Sequence, residues 1–161
     1  MVASVFLMLS VLSCNSVSQE TQEVDYKTVE KEQIIEEFYR IWDAADVDAF
    51  QKIMSKDLID HEREEKDDKS DYQNMVDATL YIHSGFSEVK HIPLQTHYLK
   101  DDKVLVYWLH TATHIGDFAG FSPTNKPVKM KGVDIFQLNN GKITEIWHVE
   151  AIHEILAQIR S

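Results

Sequence analysis

Pro127-Val-Lys-Met-Lys-Gly-Val-Asp-Ile-Phe-Gln-Leu-Asn-Asn-Gly-Lys-Ile-Thr-Glu-Ile-Trp147 reads as two strands and the turn between them. The first half alternates Val128, Met130, Gly132, Asp134, Phe136 and Leu138 on one face with Lys129, Lys131, Val133, Ile135 and Gln137 on the other. That period of two is the mark of a half-buried strand. Asn140 and Gly141 tolerate the positive φ of a type I′ turn and predict a hairpin. With those two as the loop, Asn139 faces Lys142. An unbroken register then sets Phe136 opposite Glu145, Asp134 opposite Trp147, Gly132 opposite Val149 and Met130 opposite Ala151. The expected inner face is apolar and holds one carboxylate, Asp134. The opposite face pairs Lys131 with Glu150, Val133 with His148 and Ile135 with Ile146.

Upstream, Lys103 to His114 carries Val104, Leu105, Val106, Tyr107, Trp108 and Leu109, residue types that suit a strand buried on both sides. A Lys100-Asp-Asp-Lys103 turn joins it to two predicted strands at 87–92 and 94–99. The N-terminal half reads as helices. Thr28 caps a helix to about Ala45 with an apolar stripe of Ile35, Phe38, Trp42 and Ala45, and Asp46 caps a short one through Phe50 and Ile53. Leu58 to His61 is extended, and the charged run from Glu62 to Asp71 is a solvated loop. Ser70 or Asp71 opens a third helix to about Ser84, with Tyr72, Met75, Val76, Thr79 and Leu80 inward and Gly85 as its stop.

Met1 to Ser13 contains no charge and a run of Val, Phe, Leu and Met, too short to span a bilayer and suited to the apolar core of a secretory signal. Cys14, the single cysteine, rules out a disulfide within the chain. It follows Val11-Leu12-Ser13, which resembles a bacterial lipobox, so the expectation is a signal over 1–13, an acylated Cys14 with a tether over 14–27, and one folded domain over 28–161. Ser-, Gln-, Thr- and Glu-rich composition after Cys14 fits a tether. The expected location is the bacterial cell envelope, with the membrane as partner through the lipid. A net charge of −11 argues against nucleic acid, for which a basic surface is required.

Ala112-Thr-His-Ile-Gly116, Asp117-Phe-Ala-Gly120, Ser122-Pro-Thr-Asn-Lys-Pro-Val128, Gly132-Val-Asp-Ile-Phe136 and Gly141-Lys-Ile-Thr-Glu-Ile-Trp147 together resemble the SnoaL-like polyketide cyclase (ester cyclase) family of the nuclear-transport-factor-2-like superfamily. Leu58-Ile-Asp-His61 and Ile155-Leu-Ala-Gln158 extend the resemblance over most of the chain after about Val29. It implies an α+β fold, a cone-shaped, strongly curved antiparallel sheet packed on three N-terminal helices around a deep apolar cavity. It also implies a homodimer, formed through the exposed sheet face. Family members of known chemistry use a pocket carboxylate as acid/base in an aldol closure, and His61 stands where the family tends to place a pocket histidine. The family usually has Asp four residues after the last-strand tryptophan, and that slot here is Ala151. It often has Gly at the positions of Asn125 and Ala112 and an arginine near Tyr107.

The candidate catalytic residues are Asp134, His61 and His114. Asp134 earns this because a carboxyl on an apolar face keeps its proton to higher pH unless a donor neutralises it. Tyr39, Trp42, Trp108, His110, Met130, Phe136 and Trp147 are the expected walls of a substrate pocket. His110 and His114 share a strand face, but two histidines without cysteine fall short of a zinc ligand set, so no metal and no cofactor are expected. No serine sits in a nucleophile-elbow context. His148, His153, His91 and His97 have no partner readable in the sequence. Three functions stay open: acid/base catalysis on a small hydrophobic carbonyl compound, non-catalytic binding of such a compound with the family carboxylate lost at Ala151, and a partner-binding module.

Overall fold

The computed structural model describes residues 26–63 and 68–161. The expected signal, the acylated Cys14 and most of the tether lie outside them. The described chain runs α1 (Tyr26–Ala44), a 3-10 turn (Val47–Ala49) leading into α2 (Phe50–Ile53), β1 (Met54–Asp60), α3 (Asp71–Gly85), β2 (Phe86–Tyr98), β3 (Lys103–His114), β4 (Pro127–Asn139), β5 (Lys142–Glu150) and α4 (Ile152–Arg160). The strands form one curved, unclosed sheet in the order β1-β5-β4-β3-β2. It is antiparallel throughout except at β1, which joins the edge of β5 in parallel.

Local chemistry explains most elements. Ser70 caps α3 by accepting from the Gln73 amide at 3.2 Å. Asn140 and Gly141 take φ of 49° and 72°, as a type I′ turn demands, and Asp101 and Asp102 make the same turn between β2 and β3 with φ of 58° and 56°. Along β3 every second residue from Val104 to His114 is buried. Those side chains point into the core, where α1 lays Phe38 edge-on against Phe136 of β4 with ring centres 4.9 Å apart. Phe50, Phe86, Ile143 and Ile155 complete the core, and α4 closes one end, where Gln158 bonds both backbone groups of Lys129.

Several expectations are corrected. The two short strands before the turn are one long strand, β2, which absorbs Pro93 by a bulge between Pro93 and Gln95 rather than breaking. Leu80, expected inward, is 47% exposed. Gly85 ends α3 without a left-handed residue; it is small because Phe118 packs 3.3 Å from where its Cβ would be. The hairpin register matters most. Asn139 does face Lys142 and Leu138 faces Ile143, but Gln137 pairs with Glu145, so Thr144 is one extra residue on β5. Beyond that bulge Phe136 faces Ile146, Ile135 faces Trp147, Asp134 faces His148 and Gly132 faces Glu150. The inner and outer sets of β5 are thereby exchanged: His148 turns inward and Trp147 outward.

Candidate functional site

A cavity of about 190 Å³ lies between the inner sheet face and the helices α1 and α3. Trp42, Met75, Ile82, Trp108, Met130 and Ile146 give it apolar walls. Gly132 makes room for one of them, because a Cβ there would collide with Trp108 Cζ2 and Cη2. The Trp108 indole N–H is buried without a hydrogen-bond partner among the described residues.

Three sets of polar side chains reach the same cavity. In the first, Asp134 is 5% exposed and accepts from the Tyr39 hydroxyl at 2.6 Å. Burial pushes its carboxyl up to about 6, against the opposing bond from Tyr39; Glu150 raises it further, and His148 and His91 lower it. Tyr39 is itself driven far above its ordinary range by burial and by the Asp134 charge, so it stays a neutral donor.

In the second set, His148 Nε2 meets the Asp60 carboxylate at 3.2 Å, and Nδ1 lies 3.9 Å from Glu150. The bond to Asp60 raises His148 to about 9 despite burial. Burial pushes Asp60 up, but the hydrogen bond from His148 and the Glu62 amide more than offset it, and the carboxyl sits below its ordinary range. Asp60 and His148 are thus an ion pair on the cavity wall, next to Asp134 across β4 and β5.

The third set starts on α1. Asp43 Oδ1 accepts from the His91 backbone N–H at 2.9 Å and from His91 Nδ1 at 2.8 Å, and His91 Nε2 lies 3.1 Å from His110 Nδ1. Burial drives His110 down to about 3, with His91 adding to the fall, so its ring is neutral at pH 7. The His91 ring stacks on Tyr39 with centroids 5.6 Å apart, which brings this row against the Tyr39–Asp134 pair.

The expected site residues divide accordingly. Tyr39, Trp42, Trp108, His110, Met130 and Asp134 line the cavity together. Phe136 is fully buried core behind it. His61 and Trp147 are on the outer face, stacked 4.0 Å apart with their planes 4° from parallel, and His61 Nε2 bonds Glu145 at 2.7 Å. The placement of both in the pocket is corrected by the Thr144 bulge and by the end of β1 at Asp60, which turns inward in place of its neighbour. His114 is buried against Phe86, bonds Thr124 at 3.1 Å, and is not among the cavity walls. Glu150, expected to point toward Lys131, lines the cavity. The residues missed from sequence are Asp43, Asp60, His91 and His148. His148 was findable had the bulge been read, whereas Asp43 and His91 stand 48 residues apart and carry no local signal. Among the described residues no group of three or more His, Cys, Asp or Glu is placed to hold a metal ion.

A curved, unclosed sheet laid over helices, with an inward carboxyl on its cavity wall, defines a small α+β protein of nuclear-transport-factor-2-like fold. The chain belongs to the SnoaL-like polyketide cyclase family, whose profile matches residues 32–159. Comparison with curated proteins finds no match. Among solved structures, TsrD from Streptomyces laurentii is similar with a TM-score of 0.72 at 13% identity, covering 81% of this chain and 95% of that one. AclR from Streptomyces galilaeus, provisionally described as a hydroxylase, has a TM-score of 0.72 at 23% identity over 82% of each chain. IdmH from Streptomyces antibioticus, provisionally a polyketide cyclase, gives 0.71 at 18% identity over 81% of this chain and 99% of that one. At these identities the likeness is one of fold.

Proposed function

We propose that the chain acts by acid/base chemistry on a small, largely apolar carbonyl compound held in this cavity, with Asp134 moving the proton. The observation that carries the reading is the buried Asp134 carboxyl on the cavity wall, poised at about 6 with the Tyr39 hydroxyl 2.6 Å away. A group that changes protonation near neutral pH is the kind that general acid/base catalysis requires. The size of the cavity supports a small substrate. Its 190 Å³ lies above the ~150 Å³ that admits benzene and below the roughly 300 Å³ at which drug-sized pockets begin. A compound of one or two rings fits that range.

The test is hydrogen-to-deuterium exchange next to the carbonyl of a panel of one-ring ketones in heavy water, followed by NMR. Wild-type protein should accelerate exchange of at least one member, and Asp134→Asn should cut that acceleration roughly 100-fold while leaving the fold intact. Equal exchange with and without the carboxyl would refute the role of Asp134.

A second reading is a pocket that holds such a compound without turning it over. It is favoured by Ala151, which stands where the family usually has Asp and lies at the start of α4. Retention of a ketone in native mass spectra with no exchange under any condition would support this reading against the first.

A further inference from the structure

The row from Asp43 through His91 to His110 is not used by the reading above, although it ends in the same cavity. With the His91 ring neutral, the row's hydrogen bonds fix the order of its protons. Asp43 Oδ1 receives both the backbone N–H and Nδ1 of His91, and its other oxygen has the Lys90 ammonium at 3.5 Å. A carboxylate in that setting is an acceptor only, so His91 carries its proton on Nδ1. In the neutral ring His91 Nε2 is then a lone pair, and the hydrogen at 3.1 Å must come from His110 Nδ1. The lone pair of His110 is left on Nε2: the one hydrogen bond of this ring among the described residues is made by Nδ1, and the side chain lines the cavity.

We propose that His110 is a second proton-transfer group of this cavity, a base at Nε2 whose acquired charge passes through His91 to rest beside Asp43. The inference builds on the acid/base reading of the cavity. The step balances as follows. A substrate C–H bond breaks, its electron pair stays on the substrate as an enolate, and the proton forms the Nε2–H bond of His110. The His110 Nδ1–H bond then breaks as an Nε2–H bond forms on His91. His110 ends neutral and His91 ends as a cation against the Asp43 carboxylate. A neutral base set among Trp108 and Met130 avoids bringing a charge into the apolar wall before reaction. In this scheme His91 receives the proton and Asp43 is a positioning residue, which fixes the His91 tautomer and balances its charge from outside the cavity lining. The natural substrate class is a one- or two-ring carbonyl compound with an acidic C–H beside the carbonyl.

Two measurements on the full chain decide it. Nitrogen-15 NMR of the histidine rings at pH 7 should show His110 with a proton on Nδ1 and a bare Nε2, and His91 protonated on Nδ1. A proton on Nε2 of neutral His110 would overturn the inference, whatever any variant does. The second uses 5-nitrobenzisoxazole, whose ring opening needs a base and no acid: the base takes the ring C–H proton, those electrons complete the nitrile, and the N–O bond breaks to leave a phenolate. Wild-type chain should open it faster than free imidazole at equal concentration, and His110→Gln should lower that rate roughly 100-fold. Asp43→Asn should lower it about tenfold and move the acid limb of the rate profile to lower pH, which a purely structural contact would not do. A wild-type rate no better than imidazole, or a His110→Gln rate within about twofold of wild type on the scale of such effects, would overturn the inference. The variants separate the two readings: ring opening that falls far more with His110→Gln than with Asp134→Asn keeps the relay whatever becomes of Asp134 in ketone exchange, and ring opening that falls far more with Asp134→Asn overturns the relay and leaves the reading of Asp134 standing.

Discussion

The Tyr39 hydroxyl donates to Asp134 Oδ2 at 2.6 Å, a bond between residues 95 apart in the chain. It ties the first helix to the middle of the sheet and supplies the donor that keeps a buried carboxyl from rising further.

Tyr39→Phe should remove that donor and leave the acid without its partner. The apparent pKa of Asp134 should climb above about 6, and stability at pH 7.5 should fall by about 1.5–3 kcal/mol, the range for a hydrogen bond to a charged group. Carboxyl carbon NMR titration and urea denaturation read the two effects. A pKa unchanged by the substitution would show that the phenol does not set it.

Asp134 should also impose a slope of stability with pH. Folded it titrates at about 6, against an ordinary 3.8, so between those values the folded chain keeps a proton that the unfolded chain has lost. Stability from this group falls as pH rises through that window, by about 3 kcal/mol in all. His148 adds stability that is complete below 6.5 and is lost as pH rises through about 9. Urea melts of wild type and Asp134→Asn compared across the acidic window should differ by that slope, and parallel curves would contradict it.

The Asp60–His148 pair should be measurable by its coupling. Asp60→Asn should bring His148 down from about 9 toward 6.5, and a double-mutant cycle with His148→Gln should give a coupling of about 1–3 kcal/mol at pH 7. Additive effects would mean that the 3.2 Å contact contributes nothing.

Gly132→Ala should force Trp108 off the cavity wall, because the new methyl meets the rigid indole rather than a flexible chain end. A loss of about 1–3 kcal/mol is the ordinary cost of such overpacking. Trp108→Phe in the same chain should return part of it. A thermal melt of each variant is sufficient, and an unchanged melting temperature for Gly132→Ala would show that the ring moves freely.

Cys14, outside the described residues, carries the proposal of a lipid-held protein at the cell envelope. Cys14→Ser should move the chain from the membrane fraction to the soluble one. Retention in the membrane would sink the proposal.

The fold was largely readable because its signals are local. Ser70 before α3, the Asn140-Gly141 turn and the alternation of Val104 to His114 each act within a few residues, and the motif blocks over Ala112 to Trp147 carry the family. Helix α4 was missed, although Ile152, Ile155 and Ile159 stand at helical spacing. The site was legible only in part. Asp134 and most of the walls come from strand alternation, which survives as long as the register does. The single extra residue at Thr144 breaks it, and Thr144 has no turn or glycine chemistry to announce a bulge. Asn125 shows a subtler limit: it takes a φ of 55°, a conformation glycine ordinarily supplies, so its departure from the family keeps the backbone while changing the side chain. The pairing of Asp43 with His91 is set by how α1 lies across β2, a property of the packed chain.

The Thr144 bulge also bears on how such a protein changes over time. With it, His148 and Glu150 look into the cavity and Trp147 and Val149 look out. Deleting that one residue would turn each of them over, and with them Ile146 outward and Glu145 inward, so the β5 wall would trade its His148–Asp60 ion pair for an indole while Asp134 and His110, on β4 and β3, keep their places. Within this strand, then, the character of the interior is written in length rather than in composition, and a one-codon insertion or deletion reaches a new kind of pocket that no single substitution could.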